Sequence, residues 1–153
     1  MVEFTHVADS PLGRLLLVAS ATGLRRVGFS AGKRTRSGSP DNEHLAAATR
    51  QLEEYFAGIR QAFDLSLEPA GTPFQLLSWK VLCGIPFGST ITYADQAKAM
   101  GKPRAVRAVG GANGRNPLAI IVPCHRVIGA GGELTGYAGG LDRKSWLLEH
   151  ENN

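Results

Sequence analysis

Cys124, His125 and Arg126 stand in a row behind a proline, in the run Ile120-Ile121-Val122-Pro123-Cys124-His125-Arg126-Val127. A thiol attacks as the thiolate, and a neighbouring cation or imidazole favours that form. Free cysteine is more often a buried, inert small hydrophobe. Here the flanking histidine and arginine weigh towards a nucleophile. Successive side chains of an extended chain point to opposite faces. His125 would therefore act on Cys124 through a turn or a bridging water.

The elements around this triplet have to place it. Leu118 to Val122 is purely apolar and reads as a buried strand. Val122 precedes a proline and is pushed towards the extended region. Pro123 lacks an amide donor, so a ladder should stop there. Cys124 is then expected just past a strand end, on a rigid step. Gly129 to Gly140 is glycine-rich and close in sequence, and reads as a pocket wall with Tyr137 as its aromatic residue. Asp142 to His150 reads as a closing helix with Trp146 and Leu147 in the core, and Glu151 at its end.

Upstream, Val2–Val7, Leu15–Ala19 and Leu24–Phe29 read as three short strands separated by turns, an antiparallel meander. Ser30 to Asn42 is a Gly/Ser/Pro-rich loop carrying Lys33, Arg34 and Arg36. Leu45, Ala48, Leu52, Tyr55, Phe56 and Ile59 keep helical spacing, with Gly58 as a C-cap. Phe63, Leu65 and Leu67 alternate with polar residues, as in a half-buried strand or linker.

Thr72-Pro73-Phe74-Gln75 has the form of a capping box with proline at the first helical position. Phe74, Leu77, Val81 and Leu82 are expected to face a core, and Cys83 to be a buried thiol. Thr92 with Asp95 opens a second helix, Gly101-Lys102-Pro103 makes a turn, and a third helix starts at Arg104: a helix-turn-helix. Ala105, Ala108, Val109 and Ala112 share one face of that last helix; Arg104, Arg107 and Gly111 share another. A helix built of small residues permits close packing inside the protein, or close approach to DNA, and spacing alone does not choose.

The chain has 153 residues, 43% hydrophobic and 20% charged, which describes an ordinary globular protein. Its net charge of +4 fits a polyanionic partner without requiring one. Two cysteines make no disulfide scaffold. With no bilayer-length apolar run and no signal-peptide shape, a cytoplasmic protein is expected. The fold class is α+β: residues 1–71 form a small antiparallel sheet plus helix, and residues 72–153 a mostly helical, winged-helix-like domain.

Pro123-Cys124-His125-Arg126-Val127 resembles the active-site motif of the methylated-DNA–protein-cysteine methyltransferases, the 6-O-alkylguanine-DNA alkyltransferases. The resemblance runs through Thr72-Pro73-Phe74-Gln75, Tyr93, Arg107 to Asn113, Asn116-Pro117, Gly136 to Gly140 and Trp146-Leu147-Leu148, nearly everything from Thr72 to Glu151. It departs at Ser78, where the family usually carries an apolar residue, and looser packing around Trp79 is expected there. The resemblance implies irreversible transfer of an alkyl group from 6-O-alkylguanine, with 4-O-alkylthymine as a second substrate, to Cys124. His125 would be the base, acting through a water and oriented by Glu151. Taken without the family, Glu151 would be a charge on a fraying terminus. Tyr93 would donate to the leaving guanine, or else be a core tyrosine. Asn116 would tie the recognition helix to the active-site strand, or hold the local turn.

The partner so implied is double-stranded DNA carrying alkylated guanine, met in the minor groove with the nucleotide flipped out. Arg107 would fill the gap, or simply contact phosphate. Arg104, Ala105, Ala108, Gly111, Thr92 and Arg115 would line the same face. Tyr93, Asn113, Val127, Tyr137, Ala138 and Gly139 would line the base pocket. No cofactor, no membrane and a monomer are expected. The half of the chain before Thr72 has no cysteine, so a thiolate zinc site is not expected either. Two other readings use the same residues: a non-catalytic module that recognises alkylated bases, and a cysteine hydrolase on Cys124 and His125.

Overall fold

The computed structural model describes residues 2–30 and 40–152. The chain divides into two compact units, Met1–Ala70 and Gly71–Asn153. The architecture is α+β, with a three-stranded sheet in the first unit and most of the helix in the second.

In the first unit, β1 (Phe4–Ala8), β2 (Leu15–Ala19) and β3 (Leu24–Phe29) form an antiparallel sheet in the order β1-β2-β3. Phe4 lies opposite Ala19, and Leu15 opposite Phe29, with a bulge at Val18/Ala19. Helix α1 (Glu43–Phe56) begins at Asn42, whose side chain accepts from the amides of His44 and Leu45. Leu45, Ala48, Leu52 and Tyr55 are buried on it. Each large member stabilises the unit by about 1.5–3 kcal/mol through apolar burial. The helix stops at Gly58, whose φ of 78° only glycine adopts without strain. Ile59, expected on the apolar stripe, lies past that end and is 76% exposed. The segment after α1 forms no regular strand: Leu67 makes an isolated bridge to Leu24. The basic residues Lys33, Arg34 and Arg36 lie outside the described residues.

In the second unit, α2 (Pro73–Leu82) starts with the capping box of Thr72 and Gln75, both halves formed. Strand β4 (Ile91–Thr92) leads into α3 (Tyr93–Ala99), capped reciprocally by Thr92 and Asp95. Gly101, at φ 73°, turns the chain into α4 (Val106–Gly114). That helix starts two residues later than expected, with Ala105 as its N-cap and no side-chain capping bond. Strand β5 (Val127–Ile128) pairs parallel with β4, and α5 (Leu141–Glu151) closes the unit. Phe74, Leu77, Val81 and Tyr93 pack on a core of Ala97, Met100 and Val109. Among the described residues no helix is long and apolar enough to cross a membrane, and no three His, Cys, Asp or Glu side chains are placed to hold a metal.

Two expectations fail here. Cys83 is exposed, because α2 ends at Leu82 and releases it. Helix α4 buries Val109, Ala112 and Asn113, and Ala108 faces out, on the side where the resemblance puts it. Finally, Ser78 does not loosen the packing. It is fully buried, and its hydroxyl and carbonyl accept from Gln96 Nε2 at 2.9 and 3.3 Å. Gln96 and Asn113 also exchange a reciprocal amide pair at 2.7 and 3.0 Å. Trp79, 3% exposed, donates its indole N–H to the Ala112 carbonyl at 2.8 Å. Three helices are thus joined by satisfied buried polar groups, the condition under which such groups stabilise.

Candidate active site

Leu118 to Val122 is buried except for the half-buried Ala119, but it is not a strand. It is a chain of tight turns, in which the Val122 amide donates to the Leu118 carbonyl at 2.9 Å. Ile120 takes φ 73°, a costly conformation for a β-branched residue. Asn116 holds these turns. Its Oδ1 accepts from the Leu118 amide, and its Nδ2 donates to the Val122 carbonyl at 2.8 Å and to Cys124 Sγ at 3.3 Å. Cys124, His125 and Arg126 then form a single 3-10 turn before β5. The step is therefore made by Asn116 and a strained turn, not by the end of a ladder.

Cys124 is 9% exposed. Burial pushes its thiol up; the Asn116 hydrogen bond and the Lys144 ammonium pull the other way. The arginine beside it, expected to favour the thiolate, is engaged elsewhere. Arg126 donates Nε and Nη2 to the two oxygens of Glu151 at 2.8 and 2.9 Å, and Nη1 to the Ile85 carbonyl at 2.7 Å. The resting sulfur is a protonated thiol, and a base must remove its proton.

His125 is fully buried. Its Nε2 is 2.7 Å from Glu151 Oε2. A carboxylate only accepts, so Nε2 carries the hydrogen and Nδ1 holds the free lone pair. Nδ1 is buried with no hydrogen-bond partner among the described residues. Burial lowers the affinity of the ring for a second proton; the Glu151 hydrogen bond and charge oppose this, while Arg126 and Lys144 reinforce it. A neutral imidazole aimed by a carboxylate is a general base in its working form. Glu151, 5% exposed, is no frayed charge: it also accepts weakly from the Gly88 amide at 3.3 Å.

Sequence reading missed Lys144. It is fully buried, and its Nζ donates to the Val127 carbonyl at 2.7 Å and the Thr135 carbonyl at 2.8 Å. It thereby fastens the glycine-rich loop to β5. The signal was present: Lys144, Leu147 and Glu151 fall on one helical stripe, and all three are buried. Trp146, by contrast, is only partly buried and stacks on His150 with ring centroids 4.9 Å apart.

An open cleft of about 850 Å³ is lined by Tyr93, Arg104, Val106, Arg107, Gly110, Gly114, Thr135, Gly136, Tyr137 and Ala138. Burial pushes the Tyr137 phenol far up, so it is neutral. Asn113 does not line the cleft: its amide is spent on Gln96 inside the helix packing. Val127 is buried in the β4–β5 pair, and Gly139 offers its carbonyl to Arg143. Arg104, Arg107, Ala108, Gly111 and Arg115 are exposed along α4 and its ends, Ala105 is half-buried, and Thr92 is committed to capping α3.

Residues 73–153 match the family described as 6-O-methylguanine DNA methyltransferase, DNA binding domain, and residues 4–69 its ribonuclease-like domain. The chain is 51% identical to the methylated-DNA–protein-cysteine methyltransferase of Methanosarcina barkeri over 98% of both chains. It is 48% identical to that of Mycobacterium bovis, covering 100% of this chain and 94% of the relative. The crystal structure of the Mycobacterium tuberculosis protein in complex with DNA superposes with a TM-score of 0.87 at 48% identity, covering 97% of this chain and 92% of that one. A Methanococcus jannaschii O6-methylguanine DNA methyltransferase superposes at 0.70, with 31% identity over 95% and 92% of the two chains.

Proposed function

The chain belongs to the 6-O-methylguanine-DNA methyltransferase family, and from that premise we propose that Cys124 takes the alkyl group of 6-O-alkylguanine in one irreversible step. At the coarser level it is a methylated-DNA–protein-cysteine S-methyltransferase, a DNA-repair protein whose partner is DNA. The observation that carries the finer reading is His125: neutral, aimed by Glu151, with its basic Nδ1 unpaired among the described residues.

His125 Nδ1 takes the Cys124 proton through one water. Sulfur attacks the alkyl carbon, the carbon–sulfur bond forms and the carbon–oxygen bond breaks. Over the whole reaction the thiol proton replaces the alkyl group on guanine. Tyr93, on the cleft wall, donates a hydrogen bond to the departing base as its charge grows. Asn116 holds Sγ in place. The product is a thioether, which no group in the site can hydrolyse, so each molecule turns over once.

The target atom lies inside the duplex, so the nucleotide must be flipped into the cleft, at a cost of about a few kcal/mol. The exposed face of α4 carries only small residues besides Val106 and Arg107, which lets its backbone approach a minor groove while Arg107 fills the gap. 4-O-Alkylthymine presents the same ether chemistry. The protein acts as a monomer.

Intact-protein mass spectrometry after mixing with a 6-O-methylguanine duplex tests this. One added methyl on Cys124, absent in Cys124→Ala, is expected. Tight lesion binding without a mass change would overturn transfer and leave a recognition module.

A further inference from the structure

We infer that Thr135 is a positioning residue for the reaction, aiming the Tyr93 phenol; this rests on Tyr93 being the donor to the leaving guanine. Thr135 Oγ1 donates to the Tyr93 hydroxyl oxygen at 2.9 Å, and both residues line the cleft. With its oxygen occupied from that side, the phenol turns its own hydrogen elsewhere, towards the open cleft where a base would lie. Hydrogen bonds in such a chain also polarise one another, so the second donor is strengthened by the first.

Thr135 is held at both ends. Its carbonyl accepts from the buried Lys144 ammonium at 2.8 Å, while its hydroxyl reaches Tyr93. The same ammonium donates to Val127, whose strand pairs with Ile91-Thr92, the two residues leading into Tyr93. The circuit Tyr93–β4–β5–Lys144–Thr135–Tyr93 therefore closes on itself. The glycine-rich loop is thereby tied to β5 at the residue whose hydroxyl bonds the phenol.

The test is the rate of transfer from a 6-O-methylguanine duplex at saturating protein, which separates the chemical step from DNA affinity. Thr135→Val keeps the shape and removes the hydroxyl. It is expected to slow transfer about fivefold, the worth of one net hydrogen bond, with lesion binding unchanged. Thr135→Ser is expected to restore the rate. In a Tyr93→Phe background Thr135→Val is expected to change nothing further, which a merely structural residue would not show. Three results would each overturn the inference: transfer by Thr135→Val at the wild-type rate, an equal slowing by Thr135→Val in the Tyr93→Phe background, or failure of the serine variant to recover. A Tyr93→Phe variant that transfers at full rate would overturn the role of Tyr93, and this inference with it.

Discussion

Glu151 carries four of the hydrogen bonds that define the site, to His125, twice to Arg126, and to Gly88. Replacing it by glutamine keeps the shape but removes the charge that faces Arg126 and turns one of the two acceptor oxygens into an amide donor, in a site where His125, Arg126 and Gly88 all donate. Glu151→Gln is expected to slow transfer by about a hundredfold or more, the range lost with a positioned base. It is also expected to destabilise the protein by about 3–5 kcal/mol, because a buried cation loses its partner. Single-turnover rates and urea unfolding read the two effects separately.

Burial lowers the proton affinity of His125 in the folded chain. Between its folded value and the ordinary 6.5, the unfolded chain binds the proton and the folded one does not. This residue's contribution therefore holds above 6.5 and is lost as pH falls below it. Stability followed from pH 7 downward should fall more steeply in the wild type than in His125→Gln. These residues were unequally legible. That Cys124 and His125 stand side by side, as a thiol and a candidate base, was plain in the sequence. The assignment of Arg126 to Glu151 rather than to the thiol could not, because it depends on a carboxylate 25 positions away. Thr135 and Lys144 were illegible as partners for the same reason.

Capping chemistry made the helix starts readable: Thr72 with Gln75 and Thr92 with Asp95 behave as their types require. The strands of the meander were readable from apolar runs between turns. The stretch before Cys124 was not. Five apolar residues suggest a strand by composition, yet the side chain of Asn116 takes the backbone groups that a ladder would use, and Ile120 turns the chain at a positive φ. The inward face of α4 could not be chosen by spacing, because Asn113, a polar residue, is buried there against Gln96. Asn113→Ala would leave that glutamine amide partly unsatisfied. It is expected to cost about 2 kcal/mol by urea unfolding and to weaken DNA binding, since the same pair links α3 to α4.

For the molecule as a whole, transfer to Cys124 as proposed would leave an alkyl group in a tightly packed site. An added alkyl group on Cys124, a residue only 9% exposed, overpacks it, at a cost of about 1–3 kcal/mol. The alkylated protein is expected to melt below the free form, and calorimetry of the two decides this. Binding to DNA should weaken steeply with salt. Removing the exposed charge by Arg115→Ala is expected to reduce the slope of log K against log salt by about one, as for a single phosphate contact.

Cys83 gives the protein a second, exposed cysteine, while Cys124 is buried. Bench reagents will meet the two in the opposite order from the substrate. A maleimide or disulfide dye should couple first at Cys83, leaving Cys124 competent. The chain thus comes with a built-in attachment point for a fluorophore, and a thiol count made on the folded protein reports on the wrong sulfur.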